Sequence, residues 1–341
     1  MKLDGLQVGR AVAALMVVAF HANGFTLPDR FYDGERAARL FEFGYAGVEF
    51  FFVLSGFIMA LVHRADFSQP DRAGLFMAKR IVRVYPLYVL IYLALTAAYF
   101  AAPGFGPDHA RDPVAIATSV VLWPMPYQPV MQVAWTLQHE MLFYLVFTLL
   151  VLRFRIGAGV FALWMAGCLI AAPFGEPPYP WGFILSPYNM LFLLGVAAAA
   201  SYRSLSEARA RATLAAGAAF FCAIGLSEAY GLLDWNFALR TVAYGLGATL
   251  AVAGLAAGAI RAPRSLVFLG DASYAIYLAH LPAFGFFAVV ATRLGAPWGL
   301  SPLAMLCITC AVGVAAGAAA HVFVERPLLA WLKPGRRKAA A

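Results

Sequence analysis

Arg10 and His21 lie eleven residues apart inside one apolar run. At about 3.6 residues per turn that is close to three turns, which places both on one helix face, roughly 16 Å apart along the axis. A guanidinium fork suits phosphate oxygens, and an imidazole suits taking a proton from a hydroxyl near neutral pH. Glu49, His139, Glu140, Asp271, His280 and His321 also fall within apolar runs. An ionisable group inside hydrocarbon is unfavourable by ~2.5–3.5 kcal/mol on insertion scales, so each marks a candidate site facing a bundle interior. Plainer roles compete for three of them: Arg10 can snorkel to the membrane surface, Glu49 can pair with an arginine of the outer side, and His321 can be interfacial.

The elements that must carry these residues follow from composition. The chain has 341 residues, 63% hydrophobic and 12% charged, with a mean hydropathy of +0.77. Soluble domains are about half apolar and about a quarter charged, so this composition excludes a soluble globular protein. The apolar residues come in long runs, which predicts spans at 6–25, 44–62, 84–102, 134–152, 156–174, 181–200, 209–226, 238–260, 268–292 and 302–324. The expected fold is an all-α polytopic membrane protein of about ten transmembrane helices in one bundle, because a chain in hydrocarbon must satisfy its own backbone hydrogen bonds. The run at 113–123 is too short to cross and reads as an interfacial or re-entrant segment. No A-x-A site follows the first run, so it reads as an uncleaved span.

Of the 25 lysines and arginines, eighteen fall at the N-terminus and in every second connection, six fall on the opposite side, and Arg10 stays within a span. That asymmetry predicts both termini in the cytoplasm. The net charge of +8 is therefore a topology signal and not a nucleic-acid signal. Following span direction, Arg10, Arg80, Arg83, Asp271, His321 and Glu325 fall toward the cytoplasm. His21, Glu49, His139 and Glu140 fall toward the outer half, with His280 between them and the outer face. Such a layout fits a ligand that is anionic on the cytoplasmic side and reactive near the membrane centre, such as acyl-CoA. A proton-coupled polytopic transporter uses the same residue types, although the two halves show no self-similarity. A non-catalytic scaffold has no use for these charges.

Six strings in order give the chain a resemblance to a known family. They are LDGLQVGR at 3–10 with the R-x10-H pair, GVEFFFVLSGF at 47–57, RIVRVYPLY at 80–88, WTLQHEMLFY at 135–144, GDASYAIYLAH at 270–280 and VERP at 324–327. Across nearly its whole length the chain resembles the acyltransferase 3 family of integral-membrane O-acyltransferases, which includes enzymes that acetylate exopolysaccharide and O-antigen, the latter part of lipopolysaccharide. The resemblance implies one transmembrane domain over 1–330, followed by a short basic cytoplasmic tail at 331–341. It implies a multi-pass protein of the bacterial inner membrane, with no added hydrolase-like domain. It also implies transfer of an acyl group, by family habit acetyl, from cytoplasmic acyl-CoA to a hydroxyl of a polysaccharide or lipid-linked glycan.

Acyl-CoA is then a co-substrate, with no permanently bound cofactor, no metal and no nucleic-acid partner expected. A homo-oligomer is compatible with the scheme. The resemblance implies catalytic roles for Arg10, His21 and Glu140; an imidazole at His21 suits a general base on the acceptor hydroxyl, which Glu140 could orient. Arg80 and Arg83 are expected at the CoA phosphates, joined by Asp271 and Tyr274 along the donor channel. Glu49, His139 and His280 are candidates for a channel or acceptor site. Asp271 is equally a helix cap, and Glu325 and Arg326 are expected to fix the end of the tenth span before Pro327 stops it. Ser55 and Ser273 could carry an acyl-enzyme but read as small packing residues, as do the four cysteines. Gly-rich stretches at 245–258 and 313–317 read as close helix contacts.

Overall fold

The computed structural model describes residues 3–26, 28–102, 104 and 106–332. Among these residues ten helices are long and apolar enough to cross a membrane. Their regular cores are α1 (Asp4–His21), α2 (Gly47–His63), α3 (Pro70–Ala101), α4 (Trp135–Leu152) and α5 (Phe154–Ala171). They continue as α6 (Met190–Ser201), α7 (Glu207–Ala229), α8 (Phe237–Ala256), α9 (Arg264–Arg293) and α10 (Pro302–Ala320). The chain is thus a multi-pass all-α protein with the number of spans its hydropathy predicts.

Local chemistry explains several boundaries. Ser206, Asn236 and Ser301 cap α7, α8 and α10 by accepting from the backbone N–H of Arg209, Leu239 and Ala304. Each cap satisfies an amide that the first helical turn leaves without a partner, worth about 1 kcal/mol. The short run between the third and fourth spans forms a helix at Pro113–Val120, capped by Asp112 and stopping well short of a crossing.

Three expectations about boundaries are corrected. The third helix begins at Pro70, fourteen residues before the apolar run, so Arg80 and Arg83 are carried on a rigid helix. The ninth begins at Arg264, which puts Asp271 in the helix interior, where it cannot cap. Pro327 does not stop the tenth span: a π-helical turn at His321–Glu325 precedes it, and Arg326–Leu332 continues as helix. The wider turn accommodates the missing proline N–H without a break. Residues 331 and 332 therefore belong to that helix, and the remainder of the basic tail lies outside the described residues.

Small residues set the helix contacts. A Cβ on Gly56 of α2 would lie 2.1 Å from the Phe192 carbonyl oxygen of α6, and one on Gly195 would lie 2.0 Å from that of Val53, so these two backbones touch reciprocally. Gly254 approaches the Ala210 carbonyl and Gly317 approaches Ile276 in the same way, as the Gly-rich stretches lead one to expect. Without a hydrophobic force between helices in lipid, close backbone approach and dispersion supply the association. The cysteines depart from expectation, since Cys168 is buried but Cys222 and Cys307 are exposed on the outside of the bundle. Helix α1 packs extensively on α9 and also meets α2 and α8, which makes it the central strut for the site.

Candidate active site

Five helices and the segment after α10 enclose a cavity of about 450 Å³, within the usual range of ~300–1,000 Å³ for small-molecule sites. Helix α1 contributes Arg10, α2 contributes Ser55, and α3 contributes Lys79, Arg80 and Arg83. Glu140 and Tyr144 enter from α4, and Ser273, Tyr274 and Tyr277 from α9. Sequence positions as far apart as 10 and 277 therefore meet in one space.

The cations differ in how they are held. Arg10 donates from Nε to Ser273 Oγ at 3.1 Å. Arg83 is bonded to the buried Glu325 and lies 5.1 Å from the Tyr274 ring centroid. Arg80 rests on the rings of Phe76 and Tyr144 at 5.9 and 5.8 Å, and its buried Nε has no hydrogen-bond partner among the described residues. A guanidinium on aromatic faces with a donor still to place is suited to an incoming anion. Glu140 accepts from the Ser55 hydroxyl at 3.2 Å and from Tyr144. The cavity thus joins a cationic rim to an interior with one carboxyl and several hydroxyls.

His21 does not line this cavity. Its Nδ1 lies 3.0 Å from the Val17 carbonyl and 3.0 Å from Nε2 of His280. Two corrections follow. His280, not Glu140, is the neighbour of His21, and Glu140 shares a cavity with Arg10 instead of a layer with His21. The cause is helical phase and depth: Glu140 sits one turn from Tyr144 on α4, which directs it at Ser55, while Arg10 and His21 both face α9 and meet Ser273 and His280 there. The two sites are adjacent all the same. Tyr277 lines the cavity, donates to the Val133 carbonyl at 3.0 Å, and has its ring 6.0 Å from that of His280.

The remaining candidates are dispersed. Tyr274 lines the cavity and donates to the Val84 carbonyl at 2.7 Å, whereas Asp271 is not part of the lining. His139 is buried outside the cavity, bonded through Nδ1 to Asn189 at 2.9 Å and packed on Phe183. Its divergence from Glu140 is the roughly 100° expected of consecutive helical residues. His321 bonds Glu325 at 2.6 Å and accepts from Arg326 at 3.0 Å, which completes a chain to Arg83.

Glu49 is buried outside the cavity, and neither carboxyl oxygen has a hydrogen-bond partner among the described residues. Arg240, the arginine near it, pairs with Glu228 at 2.8 Å, and Tyr45 and Tyr244 also donate to Glu228. The plainer alternative for Glu49, a pair with an outer arginine, is therefore not formed among the described residues.

Sequence reading passed over that Glu228 cluster, because Glu228 and Arg240 lie at span ends and look like ordinary loop charges. It also undervalued Ser55 and Ser273, which both bond to charged cavity residues. The available signal was phase: Ser55 lies four residues from Phe51 and Met59, and Ser273 four from Tyr277, all on the cavity face.

A family model described as an acyltransferase domain matches residues 3–321. The chain is 30% identical over 325 residues to the exopolysaccharide production protein ExoZ of Rhizobium meliloti (strain 1021), covering 88% of the chain and 94% of that protein. It is 27% identical to the acyltransferase MdmB of Streptomyces mycarofaciens, over 100% of the chain and 94% of that relative. A 39% identity to protein 2 in the picA locus of Rhizobium radiobacter covers 29% of the chain and 44% of that protein. No solved structure gives a significant match.

Proposed function

The chain belongs to this family of membrane O-acyltransferases, and from that premise we propose that it moves an acetyl group from acetyl-CoA to a hydroxyl of a cell-surface or exported polysaccharide or glycolipid. The proposed setting is the bacterial inner membrane with both termini cytoplasmic, so that the basic mouth of the cavity faces the acyl-CoA pool. Membership of the family supports acyl transfer over the transporter alternative.

One observation carries the reading. A single face of α1 presents Arg10 to a basic cavity and, three turns on, His21 to the His280 pair. In the proposed scheme Lys79, Arg80 and Arg83 hold the nucleotide phosphates at the mouth, where guanidinium forks bind bidentately. The pantetheine arm runs into the cavity past Glu140 and Ser55, whose polar atoms suit its amides, and the acyl group reaches Tyr277. His21 takes the proton of the acceptor hydroxyl as its oxygen bonds to the thioester carbonyl. The C–S bond then breaks, and the imidazolium returns that proton to the departing thiolate, giving CoA and the ester. Asp271, outside the lining, has no part in this scheme, and neither has His139.

The test is transfer of labelled acetyl from acetyl-CoA to polysaccharide of a strain lacking the protein, using membranes with and without it. Transfer that depends on the protein is expected; none to any glycan fraction would overturn the proposal. In the same assay Arg80→Ala is expected to raise the KM for acetyl-CoA about tenfold with little change in kcat, since a charged hydrogen bond is worth ~1.5–3 kcal/mol and about 1.4 kcal/mol is tenfold. An unchanged KM would remove Arg80 from the donor site.

A further inference from the structure

We infer that His280 is the positioning residue that fixes the tautomer of His21 and so decides which imidazole of the pair is the base; this rests on the acyl-transfer reading above. The hydrogen bonds allow one assignment for neutral rings. His280 Nδ1 lies 3.1 Å from the Ile276 carbonyl, and a carbonyl only accepts, so Nδ1 carries the proton. His280 Nε2 is then a lone pair. His21 Nδ1, 3.0 Å from that lone pair and 3.0 Å from the Val17 carbonyl, faces two acceptors and must be the donor. The proton of neutral His21 therefore sits on Nδ1, and Nε2 is its basic nitrogen.

The same geometry excludes the reverse assignment. His280 is fully buried, and with the proton on its Nε2 the His280 Nδ1 lone pair would face the Ile276 carbonyl and the His21 Nδ1 lone pair the Val17 carbonyl, each acceptor against acceptor. The His280 ring is also boxed in. Tyr277 and Phe284 lie at 6.0 and 5.6 Å between ring centroids, and α10 presses so closely that a Cβ on Gly313 would stand 3.2 Å from His280 Cβ and 2.6 Å from Phe284. These contacts, with the bond to the Ile276 carbonyl, hold the ring with its acceptor aimed at His21. When His21 gains a proton on Nε2, its Nδ1–H becomes a charge-assisted donor to His280, which stabilises the imidazolium as it forms. His280 thus does for His21 what an orienting partner does for a metal-bound or triad histidine, with a neutral acceptor suited to hydrocarbon.

The test compares His280→Gln, His280→Phe and His21→Ala in the full chain in lipid nanodiscs, with acetyl-CoA and polysaccharide of the deletion strain as substrates. Gln at 280 can offer an amide N–H to Ile276 and a carbonyl oxygen to His21 Nδ1–H; Phe offers neither. His280→Phe is expected to lower kcat ~10–100-fold, the usual effect of losing an orienting partner, with the acetyl-CoA KM unchanged. His280→Gln is expected to recover most of that loss. The 15N spectrum of labelled histidine, with His21 assigned by its absence in His21→Ala, is expected to show a protonated Nδ1 in the parent and in His280→Gln, and a mixture of tautomers in His280→Phe. Full activity of His280→Phe with an inactive His21→Ala would overturn the positioning role and leave His21 as base. Equal losses in His280→Phe and His280→Gln, with His21 keeping one tautomer, would assign His280 to packing. An active His21→Ala would overturn the base itself.

Discussion

Replacing His21 with alanine is expected to lower kcat by ~10²–10⁴-fold, the usual contribution of a general base, while acetyl-CoA still binds with its parent affinity. The split follows from the geometry. The cavity that would hold the donor is lined by Arg10, Arg80, Arg83 and Glu140, and His21 is outside it, packed on His280. Removing the imidazole therefore leaves the cationic mouth and the cavity walls in place. Binding of acetyl-CoA to protein in nanodiscs, measured by calorimetry beside turnover, checks both halves. Loss of binding in parallel with turnover would mean that His21 supports the cavity and does not act on the acceptor. Restored turnover with retained binding in His21→Gln, which cannot take up a proton, would also remove it as base.

Gly270→Leu is expected to abolish activity by a different route. A Cβ at Gly270 would stand 2.1 Å from the Gln7 carbonyl oxygen, which belongs to the backbone of α1 and cannot swing away. Relieving that clash must push α9 off α1. The same crossing carries the Arg10–Ser273 bond and, further along, the His21–His280 bond. Overpacking alone is worth ~1–3 kcal/mol of destabilisation, with the upper end expected where backbone opposes backbone. The catalytic loss should be larger than the stability loss, because both polar contacts depend on the spacing. Gly285→Ala on the same helix is the control: nothing lies within 4 Å of a Cβ there, and alanine favours a helix by roughly 0.8–1 kcal/mol over glycine. Thermal unfolding in detergent, read beside acetyl transfer, distinguishes the two substitutions. A Gly270→Leu protein as active as Gly285→Ala would show that α1 and α9 need not be so close.

The ten spans, the common face of Arg10 and His21, and the basic string at Arg80 and Arg83 were legible in the sequence because each depends on local properties. Hydrophobic run length is set by bilayer thickness, and helical phase is set by the backbone repeat. Pairings between helices were another matter. Glu140 was expected beside His21 and lies instead with Ser55 and Tyr144, because depth along α4 and the rotation of α2 decide which side chains share a space. For Glu49 the sequence left a pair with an outer arginine open beside a channel role, but Arg240 is taken by Glu228, whose own neighbours Tyr45 and Tyr244 come from elsewhere in the chain. Pro327 looked like a stop and became part of a helix once a π turn absorbed its missing donor.

By itself, then, the sequence determined that this is a ten-span membrane protein with a few charges that hydrocarbon would not accept without a use. The tertiary structure alone decided how those charges divide: a basic cavity around Arg10 and Glu140, and a separate histidine pair one turn beyond Tyr277. The reason is physical. Run length and helical phase belong to a single helix, whereas the register and rotation between helices are set by glycine contacts such as Gly270 on Gln7 and Gly56 on Phe192, which form only when distant segments pack.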